Sequence, residues 1–258
     1  MKRHVKSPRR YAAFFHFNQN TTFENNSLRL ILLHGLPLDS RMWRGQMGIL
    51  PGSTSAPTLY PLGDSMESSA SGVLDAAGDG PLVVVGCSMG GSCALEMARQ
   101  AGDRIAALVL AGTNAGHLPE PEVRDGYVAA LREGGAARVW PGLVDHLFSD
   151  AATRTVIEAA EAIAMEQNAA DLILATQVFH SRPDATDVVS NWQKPLVVIG
   201  GDQDGIVSVE KSTGIATIAP NGRLHVMQGC GHFANLERPA QFNDLISKVL
   251  HSISRGRV

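Results

Sequence analysis

The chain is short of cysteine, of aromatic side chains and of long apolar runs, and each shortage excludes a class of protein. Three cysteines, Cys87, Cys93 and Cys230, are too few for a disulfide framework, and no C-x-x-C pair suggests zinc. Three free thiols fit a reducing compartment, so the expected location is cytoplasmic. No apolar stretch approaches the roughly 18 residues of a membrane span. The nine histidines include no H-x-x-x-H pair, so no metal site is expected. Aromatic residues make up 5 %, charged residues 18 % and hydrophobic residues 44 % of the 258. That is a globular profile, which excludes a wholly disordered or collagen-like chain. A chain of this length buries enough surface to need no staples.

Basic charge is scarce beyond the first ten residues. Lys and Arg number 22 against 25 Asp and Glu, and Lys2, Arg3, Lys6, Arg9 and Arg10 all precede Tyr11. The body is therefore acidic and unsuited to a phosphate backbone, so no nucleic-acid partner is expected. The basic start reads as a solvated tail. The segment Tyr11–Phe17 is short, contains His16 and runs into Asn18-Gln19-Asn20, which makes it a candidate strand and not a secretory signal.

What is present is an alternation of short apolar runs and helical patterns. Leu28–Leu33, Pro57–Leu62, Pro81–Val85, Ile105–Leu110, Pro195–Gly200 and Arg223–Met227 read as strands, most of them buried on both faces. Helices are expected from Asp39 or Ser40 toward Leu50, over Ser65–Ala77 and over Met89–Gln100. A closing helix over Pro239–Ile253 carries Phe242, Leu245, Ile246, Val249 and Leu250 on one face. Residues 114–190 hold no strand-like run and show helical periodicity over Val123–Arg132, Ala136–Phe148, Ala151–Gln167 and Ala169–Phe179. The expected organisation is an extension over 1–27, an α/β core over 28–113 and 191–258, and a helical insertion over 114–190. Such alternation implies a mostly parallel sheet flanked by helices, with its site at the carboxyl ends of the strands.

The candidate chemistry lies at those ends. Gly86-Cys87-Ser88-Met89-Gly90 fits G-x-S-x-G between a strand and a helix, which places Ser88 on a sharp turn with an exposed hydroxyl. Cys87 occupies the position before it, with its side chain turned away. A serine needs a base, and the base needs a third group to fix its tautomer. Candidates follow in the order Ser, acid, His. Asp202 and Asp204 lie after the strand at Pro195–Gly200, and His232 follows the strand at Arg223–Met227 inside Gly229-Cys230-Gly231-His232.

These residues resemble the α/β-hydrolase superfamily, in its small cap-bearing serine esterase and lactonase branch. The matching text is Leu32-Leu33-His34-Gly35, Gly86-Cys87-Ser88-Met89-Gly90-Gly91, Gly201 to Asp204 as G-x-x-D, and Gly231-His232. Arg104–Leu110 and Asn235-Leu236-Glu237-Arg238-Pro239 also fit. The resemblance runs from about Leu28 to Ile253. It implies Ser88 as nucleophile, His232 as base and Asp204, ahead of Asp202, as acid. The N–H groups of Leu36 and Met89 would form the oxyanion hole, and His34 would support its loop. The insertion would be a cap. Trp140, Leu143, Leu147, Phe148, Met165 and Phe179, with Trp43 and Phe233, are candidate pocket residues.

The implied activity is hydrolysis of carboxylic esters without a cofactor, on a small-molecule ester or lactone. Lactonases, carbon–carbon bond hydrolases and lyases share the scaffold, and a non-catalytic small-molecule receptor is the reading from another class. Serine at the elbow argues against epoxide hydrolases and dehalogenases, which need a carboxylate there. Two departures from the family stand out. Ser208 replaces a frequent proline, and the usual pair of starting strands is hard to find before residue 28.

Overall fold

The computed structural model describes residues 28–116 and 120–255. Six strands form one sheet, all parallel: β1 (Arg29–Leu33), β2 (Thr54–Ser55), β3 (Leu82–Cys87), β4 (Ile105–Ala111), β5 (Leu196–Gly201) and β6 (Gly222–Met227). Their order is β2-β1-β3-β4-β5-β6. Every residue of β3, β4 and β5 is buried, as apolar parallel strands with helices on both faces should be. The chain steps outward from β1 to β2 and then returns to the other side of β1. Connections therefore diverge above β1 and β3, the switch point at whose carboxyl ends sheets of this kind hold their sites.

The helices that cover the sheet are α1 (Met66–Ala76), α2 (Met89–Ala101), α7 (Val209–Ile218) and α9 (Pro239–Arg255), with the short α8 (Ala234–Glu237) before the last. In α9 the buried residues are Phe242, Leu245, Ile246, Val249 and Leu250, the stripe read from periodicity. Helix α7 escaped the sequence reading because it buries only Ser212 and Ile215, too few to make a stripe. Ser208, the departure from proline, caps it by accepting the Lys211 N–H.

Between β4 and β5 the chain forms α3 (Pro121–Leu147), α4 (Arg154–Met165), α5 (Ala169–His180) and α6 (Thr186–Asn191). Helix α3 is broken at Gly134 and Gly135, where Gly135 takes φ +60°, between the two helices expected there. The entering and leaving segments meet where the Ala185 N–H donates to Ala115 O at 3.0 Å.

Two expectations need correction. Pro57–Leu62 is not a strand: β2 lies earlier, at Thr54–Ser55, and Tyr60–Leu62 is a 3-10 turn. The Tyr60 side chain is buried there and its hydroxyl donates to Leu38 O, while Pro61 suits a first helical turn. The helix expected toward Leu50 shrinks to a 3-10 turn over Ser40–Trp43, because Gly45 and Gly48 weaken any continuation. The strand expected over Tyr11–Phe17 lies outside the described residues. Among the described residues no helix is long and apolar enough to cross a membrane.

Candidate active site

The turn between β3 and α2 is strained. Ser88 takes φ 54°, ψ −117°, the only positive φ at a non-glycine position among the described residues. The residues two positions to either side must be glycine. A Cβ on Gly86 would lie 2.4 Å from Gly90 O, and one on Gly90 would lie 2.2 Å from Leu33 O. The strain is held by the Ser88 N–H donating to Ala111 O at 2.9 Å and by Ser88 O accepting from the Gly91 N–H at 2.9 Å. The loop after β1 closes on this turn, since a Cβ on Gly35 would sit 3.0 Å from Ser88 Cβ and 3.4 Å from Phe233 Cε1. Leu36 follows Gly35 directly. Met89 opens α2, and the first N–H groups of a helix have no partner within it.

The base and acid come from the ends of β6 and β5. His232 Nδ1 lies 2.9 Å from Asp204 Oδ2 and 3.0 Å from Oδ1, and both side chains are 1 % exposed. Asp204 Oδ1 also accepts from the N–H groups of Ile206 and Val207, each at 2.8 Å. Three donors thus converge on one buried carboxylate. Asp202 is elsewhere: its Oδ1 accepts from the Cys230 N–H at 3.2 Å. A Cβ on Gly112 would lie 2.7 Å from His232 Nδ1 and 3.3 Å from Asp204 Oδ2, so the end of β4 makes room for the pair only as glycine.

His34 is fully buried, and burial lowers its imidazole to about 4. Its Nε2 accepts from the Leu59 N–H at 2.9 Å, so the neutral ring carries its proton on Nδ1, which faces Gly35 O at 3.4 Å. It braces the loop after β1. Cys87 is buried beneath the turn, and burial raises its thiol far above the range of a nucleophile. Burial likewise pushes the Cys93 thiol up to about 12.

The candidate pocket residues separate into groups. Phe233, Phe148 and Trp140 form a buried aromatic chain leading from His232, with centroids 5.4 Å (His232–Phe233), 5.7 Å (Phe233–Phe148) and 6.3 Å (Phe148–Trp140) apart. Leu147 and Leu143 are buried and half-buried on the same helix. Trp43 packs in the core on Phe242 at 5.9 Å. Met165 is exposed on α4. Phe179 lies under the Arg182 guanidinium at 4.0 Å. Beside Met89 a water-sized slot of about 10 Å³ is lined by uncharged residues, among them Tyr60, Cys93, Ala175 and Val178. A larger cavity of about 400 Å³ lies between α4 and the Ser40–Trp43 turn, floored by Met42 and Leu236.

The motifs, their order along the chain and this geometry coincide with one family. Its sequence model, described as the alpha/beta hydrolase family, matches residues 30–245. The chain belongs to the alpha/beta hydrolase family. It is similar to a pimeloyl-[acyl-carrier protein] methyl ester esterase of Aromatoleum aromaticum, 27 % identical over 246 residues, which are 86 % of this chain and 97 % of that protein. It is also similar to a 2-hydroxy-6-oxononadienedioate/2-hydroxy-6-oxononatrienedioate hydrolase of Burkholderia vietnamiensis, 26 % identical over 262 residues, covering 91 % of this chain and 90 % of that one. Among solved structures it resembles a thermophilic esterase from Thermogutta terrifontis with malate bound: TM-score 0.81, 26 % identity, 88 % and 90 % of the two chains covered. The protein is therefore a hydrolase of this family.

Sequence reasoning quoted Glu237 only within Asn235-Leu236-Glu237-Arg238-Pro239, without a role, and did not single out Ser149. Glu237 carried a signal, a carboxylate five residues after the candidate base; Ser149 carried none, because its role depends on a contact 88 residues away in sequence.

Proposed function

We propose that the protein hydrolyses carboxylic esters through Ser88, His232 and Asp204. The observation that carries this reading is the buried His232–Asp204 contact at 2.9 Å beside a strained serine turn. His232 takes the proton of Ser88 Oγ as the oxygen attacks the ester carbonyl. Asp204 accepts the Nδ1–H, fixing the tautomer that leaves Nε2 free, and it stabilises the imidazolium. Negative charge builds on the former carbonyl oxygen, where the N–H groups of Leu36 and Met89 would donate to it. His232 then gives its proton to the leaving alcohol. Water, deprotonated by the same imidazole, cleaves the acyl-enzyme, releasing the acid and restoring Ser88. No step requires a cofactor.

The helical insertion is proposed as a cap, with Phe148 and Trp140 its aromatic wall near the base. Of the insertion's arginines, Arg124 pairs with Asp125, Arg138 pairs with Glu133, and Arg182 stacks on Phe179 and donates to Phe179 O at 2.6 Å, so these three already have partners within the insertion. The buried thiols support a reducing, cytoplasmic setting.

The test is hydrolysis of p-nitrophenyl esters from acetate to laurate by the wild type and by Ser88→Ala. The expected result is turnover that the substitution lowers by about 10⁴- to 10⁶-fold. A well-folded wild type inactive across the series would overturn the ester reading.

A further inference from the structure

We propose that Glu237 is a positioning residue for His232: its buried carboxylate holds the peptide that carries the base. The inference rests on the serine-hydrolase reading above and goes beyond it.

Glu237 ends α8 and is 8 % exposed. Its Oε1 accepts from the Gly231 N–H at 2.9 Å and from the Ser149 N–H at 3.3 Å. Its Oε2 accepts from the Ser149 N–H at 3.4 Å and from the Ser149 hydroxyl. The adjacent Arg238 does not neutralise it, because that guanidinium donates to Gly229 O at 2.6 Å and to Glu237 O at 3.1 Å. A carboxylate buried on neutral donors is costly, and it persists where those donors are fixed and well aimed. Here one of them is the amide immediately before His232.

The close approach is built in. A Cβ on Gly231 would lie 2.8 Å from Glu237 Oε1 and 2.7 Å from Leu147 O. Leu147 O in turn accepts from the His232 N–H at 2.9 Å. The peptides on both sides of Gly231's Cα are thus pinned, one to α8 and one to the end of α3. Through Ser149 the same carboxylate fastens this loop to the link between α3 and α4. His232 must keep Nδ1 on Asp204 while Nε2 addresses Ser88, and a backbone shift displaces both contacts. Misplacement of about 1 Å is enough to cost on the order of 100-fold in rate.

The function of Glu237 in this reading is to accept a hydrogen bond at a given place, not to supply charge. Two substitutions separate the alternatives. Glu237→Gln loses the charge and keeps an acceptor at the Gly231 N–H. Glu237→Asp keeps the charge and withdraws the acceptor by one methylene. Each is assayed on a p-nitrophenyl ester beside the wild type and Ser88→Ala, with active sites counted by stoichiometric fluorophosphonate labelling so that kcat refers to folded molecules. The expected result is a kcat for Glu237→Asp about 10- to 100-fold below wild type, with KM changed less than about twofold. Glu237→Gln should stay within about threefold of wild type. The acid limb of kcat/KM for Glu237→Asp should move to lower pH, because an imidazolium drawn off Asp204 is less stabilised. A merely structural role would lower the melting temperature and leave kcat per labelled site and the pH limb unchanged. An active wild type with Glu237→Asp near normal, or with Glu237→Gln falling as far, overturns the proposal alone. A wild type that neither labels nor hydrolyses overturns the hydrolase reading and the proposal with it.

Discussion

Asp202 and Asp204 stand two positions apart on one loop and meet different partners. Asp204 faces the His232 imidazole, and Asp202 accepts from the backbone N–H of Cys230. Replacing each by asparagine therefore separates chemistry from scaffolding. In Asp204→Asn the amide would leave His232 without its acceptor on Nδ1 and favour the wrong tautomer. Ester kcat should fall by about 10³- to 10⁴-fold with little change in melting temperature. Asp202→Asn keeps an oxygen for the Cys230 N–H, so kcat should stay within about threefold of wild type. Comparable losses in the two variants would mean that Asp204 is not the acid. That Asp204 and not Asp202 would lie against His232 was legible because G-x-x-D is a spacing within one loop. The Glu237 contacts were not, because their geometry depends on Ser149, a residue without a motif of its own.

At the scale of elements, glycines of similar appearance in the sequence carry opposite costs. Gly90 lies in the first turn of α2, where a Cβ would meet Leu33 O at 2.2 Å, and backbone cannot step aside. Gly126 lies on the exposed side of α3, where a Cβ would meet nothing within 4 Å. Gly90→Ala should lose about 3 kcal/mol or more of stability. Gly126→Ala should gain about 0.5–1 kcal/mol, since alanine loses less entropy in a helix and covers its backbone. Urea unfolding of the two variants checks both, and an equal effect would mean that α2 does not pack on β1 as described. Long elements were legible for the same reason that these glycines were not. The apolar runs of β3 and β4 and the stripe of α9 announce themselves by period. A helix such as α7, buried at Ser212 and Ile215 only, or a two-residue strand such as β2, has too little period to show.

Across the whole molecule, alternation of strands and helices made the parallel sheet legible, and motifs at strand ends located the candidate site. Strand order was not written in any local pattern, because it depends on which neighbours the crossovers reach. The position of β1 between β2 and β3 has an energetic consequence through His34. This side chain lies at the end of β1, fully buried, and burial holds its imidazole at about 4 instead of 6.5. Above pH 6.5 neither folded nor unfolded chains bind a proton there. As pH falls from 6.5 toward 4 the unfolded chain takes one up and the folded chain does not, so stability declines with falling pH. Below about 4 both forms are protonated and the dependence stops. Two and a half units correspond to about 3 kcal/mol. His34→Gln removes the titration while keeping an amide oxygen for the Leu59 N–H. Unfolding free energies of wild type and variant, measured in urea from pH 7.5 to 4, should therefore converge by about 3 kcal/mol toward acid. A difference that stays constant over that range would mean that His34 is protonated, or reached by water, in the folded protein, and the bracing of the Gly35–Leu36 loop would then need another source.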